Sequence, residues 1–308
     1  GKFKRAEPEL PEADILMRAL RDFNLPKITA EDLQIFMDLL GDLFPGVSPP
    51  RKRDMEFEAH CRKAAEDFKY FPDEEFILKV VQLYELLQVR HCVFVMGPPG
   101  SGKSATWKTL ADANTRNGSK TMTRDLNPKV VKTDELYGVV HMQTREWIDG
   151  LMSSTMRSLG QIPDNNPKWI ILDGDLDANW IESMNSVMDD NKILTLASNE
   201  RIPLKAHMRL IFEIRDLRFA TPATVSRAGI LYISDSSGYQ WKAYSKSWIQ
   251  QQKYDPKIDA ERKKDLQALF DKYIEESLKH IKKSFKYTVP VCDIQLIMTI
   301  CKLLESIL

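Results

Sequence analysis

The octapeptide Gly97-Pro98-Pro99-Gly100-Ser101-Gly102-Lys103-Ser104 constrains this chain more than any other stretch of it. Its glycines free the backbone to curl until several N–H groups face one point, a path that a side chain at those positions resists. A lysine and a hydroxyl residue follow. The pattern Gly-x-x-x-x-Gly-Lys-Ser/Thr is the Walker A loop, which cradles nucleotide phosphates, with Lys103 toward the β- and γ-phosphates and Ser104 toward Mg²⁺. A chance glycine–proline turn could carry the same letters. The flanks argue against that: Cys92-Val93-Phe94-Val95-Met96 reads as a buried strand, and Ala105 to Leu110 continue as helix.

Other apolar runs stand at Trp169-Ile170-Ile171-Leu172, Leu210-Ile211-Phe212 and Ile230-Leu231-Tyr232-Ile233. Runs this short, separated by helical stretches, predict an α/β fold: a buried parallel sheet with crossover helices. Apolar residues recur at helical spacing from Phe76 to Leu87, and residues 12–23 and 31–44 read as two short helices around Leu25-Pro26-Lys27. Thr29-Ala30-Glu31-Asp32 reads as the cap and acidic first turn of the second. The loop Phe44 to Pro50 is rich in helix breakers, and the Arg51-Lys52-Arg53 that trails it reads as a solvated turn. Past residue 255 the strand signal is lost. Leu266, Leu269, Phe270, Tyr273, Ile274, Leu278 and Ile281 fit one face of a helix, and a second runs from about Val291 to Leu308.

Lys plus Arg and Asp plus Glu each number 44, so the formal net charge is zero. A nucleic-acid binder is expected to carry a basic excess, and none dominates here. Cys61, Cys92, Cys292 and Cys301 have no paired spacing and read as four buried, reduced thiols of an intracellular protein. No histidine has zinc-ligand spacing, and Asp189-Asp190 reads as a solvated helix end rather than a metal site. Trp147, Trp169 and Trp180 read as packing residues, not a base-stacking platform. No apolar run reaches membrane-spanning length and the first residues lack a signal-peptide core, so the expectation is a cytosolic chain with neither a membrane nor a nucleic-acid partner.

A phosphate loop of this type needs an acid at the tip of a neighbouring strand to hold the metal. Lys168-Trp169-Ile170-Ile171-Leu172-Asp173 supplies one, Asp173. Hydrolysing AAA+ proteins carry a glutamate immediately after that acid to polarise the attacking water. Here the position is Gly174, and Asp175 stands one residue further on. Without a group to orient the water, hydrolysis loses orders of magnitude while binding through backbone amides and Lys103 survives. The alternative is that Asp175 substitutes through an unusual turn.

Beyond Asp173 the sequence becomes specific. Gly174 to Lys192, Leu194-Thr195-Leu196-Ala197-Ser198-Asn199-Glu200-Arg201-Ile202-Pro203-Leu204 and Ala220-Thr221-Pro222-Ala223-Thr224-Val225-Ser226-Arg227-Ala228-Gly229 resemble the second AAA+ module of dynein heavy chains. Asp125-Leu126-Asn127-Pro128-Lys129 and Thr144-Arg145-Glu146-Trp147-Ile148-Asp149-Gly150 fit the same pattern, with axonemal, outer-arm-like chains the nearest in kind. The resemblance implies an AAA+ core with hairpin inserts and a small C-terminal helical domain. Its expected division is a helical segment of the preceding module or linker over 1–45, a large α/β domain over 46–238 and a small helical domain over 239–308. It further implies hairpins over 138–150 and 192–204, the latter turning at Ser198-Asn199-Glu200. On the strand from Met208 to Ile214, Glu213 or Arg215 lies nearer the sensor-1 place than Asn199, and neither is the usual Asn or Thr.

Arg227 matches the arginine finger, which in a ring points to the preceding module's nucleotide. Arg18 would be a sensor-2 arginine for that preceding site, whereas the region near Ile297 has none. Phe71 to Ile77 are expected at the adenine. The implied ligands are ATP or ADP on Gly97, Pro98, Pro99, Gly100, Ser101, Gly102, Lys103, Ser104 and Asp173, with Mg²⁺ on Ser104 and Asp173. The implied partners are neighbouring AAA+ modules of the same chain and, through the full-length motor, microtubules of a cilium or flagellum. An isolated fragment is expected to be monomeric. The expected function is an ATP-binding, weakly hydrolysing regulatory module. The alternatives are an independent remodelling ATPase acting as a homo-oligomer, a scaffold with structural nucleotide and, last, a small-molecule kinase.

Overall fold

The computed structural model describes residues 9–29, 31–47, 49–50, 53–234, 238–252 and 259–307. Ala30, Ser48, Arg51, Lys52 and Leu308, each named in the expectations above, lie outside the described residues.

The chain opens with α1 (Glu12–Asn24), a 3₁₀ turn (Leu25–Lys27) and α2 (Leu33–Leu43). The α/β part runs α3 (Met55–Asp67), α4 (Glu74–Val89), β1 (Cys92–Met96), α5 (Lys103–Arg116), β2 (Met122–Leu126) and α6 (Thr133–Tyr137). It continues through β3 (Gly138–Val140), β4 (Trp147–Asp149), α7 (Leu151–Gln161), β5 (Lys168–Asp173), α8 (Ala178–Met188), β6 (Ile193–Thr195) and β7 (Arg201–Pro203). It closes with β8 (Met208–Ile214), α9 (Pro222–Arg227) and β9 (Gly229–Tyr232). The C-terminal part is helical: α10 (Tyr239–Gln251), α11 (Asp259–Ser284) and α12 (Asp293–Glu305).

Five parallel strands form the central sheet in the order β2-β5-β8-β1-β9. Successive side chains alternate between faces, and both faces are covered, which is why the strands read as unbroken apolar runs. Cys92, Phe94, Ile170, Leu172, Leu210 and Phe212 pack with α6, α7 and α8 on one face. Val93, Val95, Trp169, Ile171, Ile211 and Leu231 pack with α3, α4 and α5 on the other. Asp54 and Asp73 cap α3 and α4 by accepting from Phe57 N–H and Phe76 N–H.

The edge strand β2, Met122-Thr123-Arg124-Asp125-Leu126, has no buried residue, so it carries no apolar run and sequence reading passes over it. Both expected hairpins form, as β3–β4 and β6–β7. The cap of α2 differs from expectation: Asp32 occupies the position but its carboxylate turns back to the Thr29 hydroxyl, and the first turn holds no acid. On α11 the buried face is Phe270, Ile274 and Leu278, while Leu269 and Tyr273 are half exposed. The true stripe steps by four, and those two fall off its side. Trp169 and Trp180 are buried as expected. Three cysteines are buried and Cys292 is only partly so.

Candidate functional site

The glycine-rich loop joins the C-terminal end of β1 to the start of α5, with Gly100 and Gly102 in the left-handed region (φ +77° and +92°). Gly97 is required by space: a Cβ there would meet the Ile233 carbonyl oxygen at 2.5 Å. No side chain caps α5 at Gly102. The first N–H groups of a helix lack intrahelical partners, so this end presents donors and the positive pole of the helix to an anion. Lys103 Nζ folds back over the loop to the carbonyls of Gly97 (2.9 Å) and Pro98 (3.0 Å). Burial lowers the pKa of that ammonium, and the carboxylates of Glu213, Asp173 and Asp175 oppose the shift.

Those three acids divide the ground beneath the loop. Asp173 is exposed at the tip of β5, in register with Glu213 on β8. Glu213 is buried; its Oε2 accepts the Ser104 hydroxyl at 2.8 Å and its Oε1 accepts the indole N–H of Trp107. Sequence reading had Glu213 near the sensor place but gave no sign that it reaches under the loop to Ser104. Asp175 accepts the Arg215 N–H at 2.9 Å through its Oδ1. A Cβ at Gly174 would lie 3.3 Å from both Asn127 Oδ1 and Pro128 Cδ, so a glutamate there would press on that turn. Ser104, Asp173 and Glu213 offer hard oxygen donors, the set that Mg²⁺ prefers, and fit such an ion beside a nucleotide.

Next to the loop lies a cavity of about 510 Å³, within the range of small-molecule sites. Phe68, Lys69, Tyr70, Phe71 and Phe76 line one side, and Gln240, Tyr244 and Trp248 of α10 the other. Phe71 and Phe76 of the segment expected at the adenine line this cavity, whose wall begins at Phe68, while Ile77 is buried in the core. The helical part closes over the site. Lys69 O accepts from Ser247 Oγ and from Gln251 Nε2 (3.3 Å), and Ile294 sits against Gly100, where a Cβ would meet its Cγ2 at 2.8 Å.

Arg227 ends α9, and its guanidinium pairs with Asp189 at the end of α8. Asp189 is thus a half-exposed helix end, as expected, that also carries an ion pair to Arg227. Arg18 pairs with Asp22 on its own helix at 3.6 Å. The two hairpins are tied by one guanidinium, Arg157, which binds Asp149 at the end of β4 and Glu200 just before β7.

Three family models match in succession. One described as the hydrolytic ATP binding site of the dynein motor region matches residues 1–104, an AAA domain of the dynein-related subfamily matches 92–228, and the dynein heavy chain AAA lid domain matches 266–308. The chain is 51% identical over 328 residues to the dynein alpha chain of the flagellar outer arm of Chlamydomonas reinhardtii. It is 52% identical over 308 residues to dynein axonemal heavy chain 17 of Homo sapiens, and 50% to the ciliary dynein beta chain of Tripneustes gratilla. Each match covers 100% of this chain and 7% of the relative, so the chain spans a small part of those proteins' length. With the parallel α/β sheet, its hairpins and the helical C-terminal part in place, the chain belongs to the AAA domains of the dynein heavy chain family.

Proposed function

We propose that this chain is the second AAA+ module of an axonemal dynein heavy chain, one that binds ATP with Mg²⁺ and turns it over little or not at all. Residues 46–238 serve as its large domain and 239–308 as its small one, with 1–45 leading in from the preceding module. Gly97 to Ser104 hold the phosphates, Lys103 meeting the β- and γ-phosphates, while Ser104 and Asp173 hold the metal. Bound there, Mg²⁺ would neutralise phosphate charge and fix the geometry of the triphosphate.

The observation that carries the reading is that the position after Asp173 holds no carboxylate and that the other acids beside the loop, Asp175 and Glu213, already accept hydrogen bonds. Asp173 is assigned to the metal, Gly174 has no side chain, Asp175 accepts Arg215 N–H through Oδ1, and Glu213 accepts from Ser104 and Trp107. Ile294 adds to it: the helical part meets Gly100 of the loop with an apolar side chain, and the region near Ile297 has no arginine to serve as sensor 2.

Arg227 is assigned to the preceding module's nucleotide, which it would reach by exchanging Asp189 for a phosphate. Movement along microtubules is then a property of the whole heavy chain, to which this module contributes a nucleotide-set shape and a finger. The description of the first matching model favours a second reading, a hydrolytic site, but its match ends at Ser104 and omits Asp173 to Asp175. The test is direct. The chain should bind ATP stoichiometrically and release no phosphate, Lys103→Ala should abolish binding, and Arg227→Ala in a heavy chain should slow turnover at the preceding site alone. Brisk turnover by this chain would overturn the reading.

A further inference from the structure

We propose that Glu213 is a positioning residue for the metal: it accepts the hydrogen bond of the Ser104 hydroxyl and so turns that oxygen's lone pairs toward the cation. The inference rests on the ATP-binding reading above and extends it to a residue outside the loop and the strand-tip acid.

A serine hydroxyl has one proton and two lone pairs, and its direction is free unless something fixes the proton. Here Glu213 Oε2 fixes it at 2.8 Å. Accepting that hydrogen bond also raises the electron density on the ligand oxygen, as carboxylates do behind metal-bound imidazoles. Glu213 is itself immobile. Trp107 N–H holds its other oxygen, and its main chain lies in the sheet between Val95 and Asp173 and accepts from Gly174 N–H at 3.2 Å.

The charge balance points the same way. Both hydrogen-bond donors to this buried carboxylate are neutral. Lys103 acts on it electrostatically, but its Nζ is held by the Gly97 and Pro98 carbonyls, and among the described residues no cation forms an ion pair with Glu213. A buried anion whose hydrogen-bond donors are both neutral is expensive, and a divalent cation next to Ser104 would offset that cost. A tether for Trp107 alone would be served by a neutral acceptor. A glutamine at 213 could accept one of the two donors, while its NH₂ would confront the other.

The test measures ATP affinity of this chain with saturating Mg²⁺ and with EDTA, for wild type, Glu213→Gln, Ser104→Ala, the double variant and Trp107→Phe. Glu213→Gln should weaken Mg-dependent binding by roughly 10- to 100-fold and leave the EDTA affinity unchanged or tighter. It should add no further loss on Ser104→Ala, and Trp107→Phe should keep the wild-type ratio. Equal weakening in Mg²⁺ and EDTA, or additive losses in the double variant, would reduce Glu213 to a structural support and overturn the inference. Should Glu213→Gln fail to fold, Glu213→Asp, which keeps the charge but shortens the reach, should lose the Mg²⁺ dependence; a retained ratio would overturn it. If wild type binds ATP in neither condition, the nucleotide reading itself falls and this inference with it.

Discussion

Replacing Gly97 by alanine probes how tightly the phosphate loop is packed on the sheet. The added Cβ would lie 2.5 Å from the Ile233 carbonyl oxygen and 2.8 Å from Ser101 Oγ. Ser101 can rotate. The carbonyl cannot, because it is main chain at the end of β9, where Ile233 N–H donates to Met96 O at 2.8 Å. Loop and strand end must part by at least 0.5 Å to reach the 3.0 Å lower limit of real Cβ contacts. Such overpacking costs about 1–3 kcal/mol, and loss of the Ile233–Met96 bond adds about 1 kcal/mol. The stiffer unfolded chain returns about 0.4–1 kcal/mol. The net is a loss of about 2 kcal/mol, read in urea as a lower midpoint at unchanged slope. ATP affinity should fall as well, because the loop's N–H groups leave their positions. A variant with the wild-type midpoint and the wild-type affinity would refute the reasoning.

Further expectations concern the core, the hairpins and pH. Phe212 is fully buried, edge-on to Phe94 at 5.0 Å and stacked on Trp180 at 6.1 Å, so Phe212→Ala should lose about 3–5 kcal/mol in denaturation, against at most about 0.5 kcal/mol for exposed Phe219→Ala. Arg157→Ala should speed hydrogen exchange in both hairpins while moving the global midpoint by less than about 1 kcal/mol, since the ion pairs are partly solvated. Burial lowers the pKa of His91, which hydrogen-bonds Val187 O at 3.0 Å. Below its ordinary value near 6.5 the unfolded chain takes up a proton that the native state resists, so this contribution, present at neutral pH, is lost as pH falls. Melting followed from neutral to mildly acidic pH should show the decline, and His91→Gln should flatten it.

How much of this was legible follows from what each residue faces. β1, β5, β8 and β9 announce themselves because both faces of a parallel sheet are covered, whereas β2 lies at an edge with polar side chains and leaves no apolar signal. Gly97 to Ser104 and Asp173 are readable because their chemistry is local to a short segment. Glu213 and Asp189 are not, since Ser104 and Arg227 reach them only across the fold, 109 positions away in the case of Ser104. Asp175 illustrates the same limit. Sequence places it two residues from Asp173, but its carboxylate meets the N–H of Arg215, just past the end of β8.

The central claim is that this site holds ATP without consuming it. One measurement addresses it directly: γ-labelled ATP is incubated with the chain and Mg²⁺, and bound nucleotide and free phosphate are followed together. The account predicts one ATP per chain, recovered intact, with binding lost in Lys103→Ala. Steady phosphate release that disappears in Lys103→Ala would contradict it.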